Sequence, residues 1–196
     1  MFQPRPQIQS VQLQWLGFEP GDRWRGESTH APTLTAFSHA LHPVVGRSTG
    51  SQGNYVVTEF VATSTQRAWA VLTNFNSQPE WAPDISQAKV VKRSGTSLEL
   101  QQTYRAGYTF GLPIKARLTV QETPPRGFHY KLIEGDRLNQ LSGSWSISAV
   151  AGGVQLRHTM HVDPQVPGPL RPIYYEQQEQ NLLQWMRILK RRMEAP

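Results

Sequence analysis

Between residues 54 and 162 apolar and polar side chains alternate with a period of two in segment after segment. Beyond about residue 170 the period changes to three and four. Asn54 to Ala62, rich in Val, Tyr and Phe, reads as a first strand, and Ile85 to Lys92 as a second, closed by a Ser94-Gly95 turn. Leu98, Leu100, Gln102, Tyr104 and Ala106 then share one side of a strand, and Ile114, Ala116, Leu118 and Val120 one side of the next. After the turn Pro124-Pro125-Arg126-Gly127 the same holds for Phe128, Tyr130 and Leu132, and then for Leu141, Gly143, Trp145 and Ile147. Past Gly152-Gly153, Val154, Leu156, His158, Met160 and Val162 complete the set. Successive strand side chains point to opposite faces, so these segments predict one antiparallel sheet with one wet face and one covered face.

Two helical patterns supply the cover. Thr63 or Ser64 can cap a helix whose apolar face is Ala68, Trp69, Val71, Leu72 and Phe75. Pro79 and Pro83 stop it and frame a second, very short helix around Glu80-Trp81, with Trp81 expected to be exposed on the turn. Pro164 to Pro172 breaks the strand series. From Leu170 to Met193 the residues Tyr174, Leu182, Trp185, Ile188, Leu189 and Met193 form a stripe on a helix roughly 35 Å long. The predicted fold is therefore α+β: a curved antiparallel sheet of about seven strands wrapped around a long C-terminal helix, with two short helices after the first strand. A straight helix cannot pack evenly along a curved sheet, so a cavity is expected between them.

Residues 1–52 lack this order. They hold five Pro and five Gly without sustained periodicity and read as an extended, partly disordered arm ahead of a ligand-binding domain at 53–196. Within the arm, Val11 to Leu16 alternates like one short strand, and Trp15, Leu16 and Phe18 are candidates to pack on the domain or on another copy. Cysteine is absent, which removes thiolate metal sites, Cys nucleophiles and disulfides and agrees with a reducing compartment. No run of 18 apolar residues and no apolar leader are visible, so the expected location is cytoplasmic, at most peripheral to a membrane. The net charge of +6 favours anionic surfaces, but the one dense basic block is Lys190-Arg191-Arg192. That block either complements the dipole at the helix end or docks on a membrane surface or RNA.

Several pieces taken together resemble a known family. They are Trp69-Ala-Val-Leu-Thr-Asn-Phe75 with Pro79-Glu80-Trp81, Glu134-Gly135-Asp136 with Gly143-Ser144-Trp145, and Pro164 through Pro172 before the last helix. Their order and spacing resemble the START-like, helix-grip superfamily of polyketide cyclases, dehydrases and lipid-transport proteins (SRPBCC), nearest the coenzyme Q-binding branch. The resemblance covers about residues 54–193 and implies a cavity for a hydrophobic small molecule, with no cofactor. It implies no fixed catalytic set, and it places Trp81 near the cavity mouth.

Candidate ligand-contacting residues follow from alternation. His158 sits on the apolar face, where an imidazole either donates to a ligand oxygen or is held by the core. Tyr104 and Tyr130 share that face, as do Trp145 and Gln102, and a buried amide needs a partner. On the long helix Gln178 and Asn181 interrupt the stripe that contains Trp185, facing either the cavity or the solvent edge. Glu134 and Asp136 flank a turn and read as solvated. No histidine pair has metal-ligand spacing, and no nucleophile elbow, phosphate loop or dinucleotide fingerprint occurs. These observations favour a protein that binds or transports a quinone, lipid or polycyclic aromatic. The alternatives are a polyketide aromatase/cyclase and a ribosome- or RNA-associated interaction protein.

Overall fold

The computed structural model describes residues 44–47, 53–105 and 111–196. The arm residues Val11–Phe18 and the inner-face position Ala106 lie outside them. Eight strands form one antiparallel sheet: β1 Val44–Arg47, β2 Asn54–Val61, β3 Ile85–Ser94, β4 Ser97–Tyr104, β5 Ile114–Thr123, β6 Gly127–Gly135, β7 Leu138–Val150 and β8 Gly153–Pro164. The spatial order is β1-β2-β8-β7-β6-β5-β4-β3. Strands β2 to β8 are the seven expected from alternation. The eighth, β1, falls within the segment assigned to the arm and pairs along the edge of β2, Val45 opposite Val57.

Burial follows the period of two. Along β5 Ile114, Ala116, Leu118 and Val120 are buried, and along β8 so are Val154, Leu156, His158, Met160 and Val162. Register shifts interrupt β3–β4 at Ile85/Gln87 and at Val90/Lys92, and β5–β6 at Arg117/Leu118. Such irregularities bend strands and increase twist, which lets the sheet curve.

Helix α1, Thr65–Thr73, starts where Ser64 accepts a hydrogen bond from the Arg67 backbone N–H. This satisfies one of the donors a helix start leaves open. Ala68 and Leu72 are its buried residues, with Trp69 and Val71 half-buried beside them. The second short helix lies earlier than expected: a 3-10 segment spans Phe75–Glu80 and contains Pro79 rather than following it. It closes where the N–H groups of Trp81 and Ala82 both donate to the Gln78 carbonyl. That double bond folds the chain back, and Trp81 is buried rather than exposed, at 2% of its surface.

Helix α2, Arg171–Glu194, lies against the inner face. Its buried residues are Tyr174, Tyr175, Gln178, Leu182, Trp185, Met186, Leu189 and Met193. Its C-terminal end is fastened to the start of α1 and the end of β2. The Met193 carbonyl accepts from Arg67 Nε at 2.8 Å and Thr63 Oγ1 at 3.1 Å, the Ala195 carbonyl from Arg67 Nη2, and Glu194 from the Ala62 N–H at 2.9 Å. These donors satisfy carbonyls that a helix end otherwise leaves to water.

Candidate functional site

The inner faces of β4–β8, the turn at Gln78–Trp81 and the N-terminal two-thirds of α2 surround a cavity that opens to solvent. Its wall is mostly apolar, from Leu100 and Ile114 on one side to Leu141 and Val162 on the other. Among the described residues no Asp, Glu, Lys or Arg lines it. Seven of the eight residues proposed from sequence do: Trp81, Gln102, Tyr104, Tyr130, Trp145, His158 and Trp185. The eighth, Asn181, is half-buried and stands outside the lining. At 3.6 residues per turn it lies roughly 80° around α2 from the centre of the buried face. Gln178, three residues earlier, is buried and faces the cavity.

The polar groups form two clusters. The first is centred on His158, which pairs across the sheet with Val57 of β2 and Trp145 of β7. The Trp145 ring stacks on the imidazole, with centroids 4.1 Å apart and planes at 6°. Trp185 of α2 lies nearly parallel to the same ring at 6.1 Å. His158 is thus packed against two indoles, and burial lowers its pKa from the usual range to about 3, so the ring is neutral at physiological pH. Its Nε2 is 2.9 Å from Tyr130 Oη, and burial pushes that phenol well above its ordinary range.

A glycine makes this pair possible. Tyr130 lies opposite Gly143 on β7, and a Cβ at Gly143 would stand 2.5 Å from Tyr130 Oη and 2.1 Å from the Thr159 carbonyl oxygen. Without that Cβ, the phenol reaches over β7 to β8. A side chain at position 143 would block the approach.

The second cluster joins the 3-10 segment to β4. Tyr104 Oη donates to Gln102 Oε1 at 2.5 Å, and Gln102 Nε2 donates to Gln78 Oε1 at 2.6 Å. The partner that a buried Gln102 requires is thus supplied by the protein. Burial first, then the negative charge of Asp84, raises the Tyr104 phenol well above its usual range. Asp84 is itself buried and accepts from Trp185 Nε1 at 2.7 Å. Trp185 also meets Trp81 edge to face at 6.0 Å. Sequence reasoning missed Gln78 and Asp84. Both sit in Pro-containing turns, where alternation carries no information about which side chains fold inward.

The other candidates lie outside the cavity. Glu134 and Asp136 are exposed at the β6–β7 turn, and Glu134 is 3.3 Å from Arg117. Of the basic block, Lys190 contacts Glu194 at 2.9 Å, Glu59 at 3.5 Å and the Phe60 carbonyl, and Arg192 contacts Glu80 at 2.6 Å. Arg191 is exposed. No helix among the described residues is long and apolar enough to cross a membrane.

An open antiparallel sheet gripping a C-terminal helix around an apolar cavity defines a class of small-molecule-binding folds. Residues 52–194 match the model of the family polyketide cyclase/dehydrase and lipid transport, and the chain belongs to that family. Solved structures of the same fold include the Zhui aromatase/cyclase from Streptomyces sp. R1128, with TM-score 0.64 and 15% identity over 72% of this chain and 93% of that one. A START superfamily protein from Mycobacterium smegmatis aligns with TM-score 0.59 and 20% identity, over 72% and 97%. A STAR-related lipid transfer protein from Xanthomonas axonopodis aligns with TM-score 0.58 and 15% identity, over 77% and 92%. At such identities the likeness concerns the fold. A search of curated proteins finds no match to the chain.

Proposed function

We propose that this protein binds and carries a neutral, largely apolar small molecule, such as a quinone, a lipid or a polycyclic aromatic, inside the cavity. The observation that supports this reading most is the uncharged wall. Among the described residues the polar groups lining the cavity are amides, phenols, indoles and one neutral imidazole, with no carboxylate or cation. Burial of ligand apolar surface, about 25 cal/mol per Å² before the costs of association, is then the driving force. The family and its relatives include both lipid-transfer proteins and aromatase/cyclases, so ligand class and fate are this proposal's own content.

A carrier fits the site better than a proton-transfer enzyme. General acid–base catalysis works best with groups whose pKa is near the working pH. Here burial drives His158 far below neutrality and Tyr130 far above it. The aromatase/cyclase reading keeps one specific support, the direct Tyr130–His158 contact, along which a proton can pass once a substrate rearranges the pair. Docking on a ribosome or RNA through the basic block is disfavoured, because Lys190 and Arg192 already face acidic partners within the chain.

Native mass spectrometry of freshly purified protein, followed by organic extraction, tests the carrier reading. A stoichiometric neutral lipid, quinone or aromatic is the expected result. An empty protein that also ignores a panel of such compounds sinks it. Conversion of a linear polyketide thioester to a cyclised product would move the assignment to the enzyme.

A further inference from the structure

The hydrogen-bonding capacity of the cavity wall divides into groups already used and groups left over. Tyr130 and His158 hold each other, and Trp185 is held by Asp84. The relay Tyr104–Gln102–Gln78 runs in one direction, so each of its two amide oxygens already accepts one bond and the amide NH2 of Gln78 remains at its end. Besides the indole N–H of Trp145, two further groups have no hydrogen-bond partner among the described residues. Trp81 Nε1 is a buried donor without an acceptor, on a side chain 2% exposed. The side chain of Gln178, 5% exposed and lining the same cavity, makes no hydrogen bond.

An unpartnered buried polar group is destabilising, so one that lines a cavity is a place where a ligand gains. The leftover groups have a clear bias. An indole N–H can only donate, and the free end of Gln78 can only donate. Gln178 adds an amide that does both. No cation among the described residues accompanies them, so an anionic ligand would lose hydration there without gaining a counter-charge. The chemistry complementary to this set is a neutral hydrogen-bond acceptor on an apolar skeleton.

We infer that the cavity selects ligands carrying a neutral carbonyl oxygen, with Trp81 Nε1 and the Gln178 amide as the recognising groups. The two paired clusters then act as a fixed frame that keeps the remaining polar atoms from competing. This inference rests on the carrier reading above, narrowing its ligand from any apolar molecule to a ketone, quinone or ester.

Matched pairs of probes test it: 1-tetralone against tetralin, and 9-fluorenone against fluorene, each differing only in the carbonyl. Equilibrium dialysis with chromatographic quantification gives the affinities for wild type, Trp81→Phe, Gln178→Leu and the double variant. Each ketone is expected to bind wild type about 10-fold more tightly than its hydrocarbon, the factor one good hydrogen bond supplies. Each single variant should shrink that ratio and the double variant should bring it close to one, because taking the ratio within one variant cancels what the substitution does to apolar packing. Hydrocarbon binding thereby reports that the cavity has survived the substitution, and if Trp81→Phe fails to fold, Gln178→Leu carries the test alone. Equal binding of ketone and hydrocarbon by wild type overturns carbonyl selection while leaving the carrier reading in place. So does a preference that survives in the double variant. Binding of no member of either pair overturns the carrier reading itself.

Discussion

The two ends of helix α2 face the same sheet and behave differently. At the C-terminal end Met186, Leu189 and Met193 are 0–1% exposed and pack in a core with Val57 and Val61 of β2 and Leu72 of α1. At the N-terminal end Tyr174, Gln178 and Trp185 are 5–8% exposed and border empty space. One helix thus combines a solid anchor with one wall of a cavity. The contrast follows from shape. Aliphatic and thioether side chains fill the anchored end, where α1 also packs on the core. Around the cavity Trp81, Trp145, His158 and Trp185 brace one another at ring distances of 4–6 Å instead of filling the space. Stability and binding are therefore separable in this molecule.

Paired truncations give the strongest test of that separation. Leu189→Ala in the solid end is expected to cost about 3–5 kcal/mol, whereas Leu141→Ala on the cavity wall should cost about 2–3, because it enlarges an existing space. Urea denaturation measures both. Equal losses would mean that the wall is packed as tightly around Leu141 as the anchor is around Leu189.

Acid challenges the cavity end next. His158 has a folded-state pKa near 3, below the ordinary value of 6.5. The unfolded chain therefore binds a proton at this ring that the folded chain does not. Stability from this group is complete above pH 6.5 and is lost as pH falls from there toward 3, by at most about 1.4 kcal/mol per pH unit. His158→Gln should flatten that limb of the stability–pH curve. An unchanged slope would show that carboxylates alone govern the acid response.

Gly143→Ala is a smaller perturbation, expected to cost about 1–3 kcal/mol through crowding against Tyr130 and the Thr159 carbonyl. Its signature is local: the His158 ring resonances should move as the phenol is displaced, while amide signals of α1 stay in place. Smallest is Ser64→Ala, which removes the α1 cap and should cost about 1 kcal/mol without altering ligand affinity. A change in affinity there would join the two ends that the packing keeps apart.

Much of this site was readable from the chain, and the part that was not has a physical pattern. Alternation placed His158, Gln102, Tyr130 and Trp145 on the covered face because a strand offers only two faces. The stack of Trp145 on His158 was accessible too. Counting five residues back from Val150 and five on from Gly153 brings them opposite each other across the hairpin turn. Turns are harder to read. Trp81 was expected at the surface, and Gln78 and Asp84 drew no attention, because their direction depends on where the Phe75–Glu80 segment ends and not on any period. On α2 the stripe was visible, but its edges were not. Asn181 and Gln178 look equivalent in sequence and separate only once the helix rotation against the sheet is known.

The cluster of indoles has an optical consequence. Trp81, Trp145 and Trp185, three of the six tryptophans of the chain, share the cavity wall. Indole emission depends on the polarity of its surroundings and on neighbouring groups that quench it. A molecule entering this space changes both for all three at once. The protein therefore carries its own fluorescent readout of occupancy, with no label attached, and a filled cavity should be distinguishable from an empty one by the colour and intensity of its ultraviolet emission.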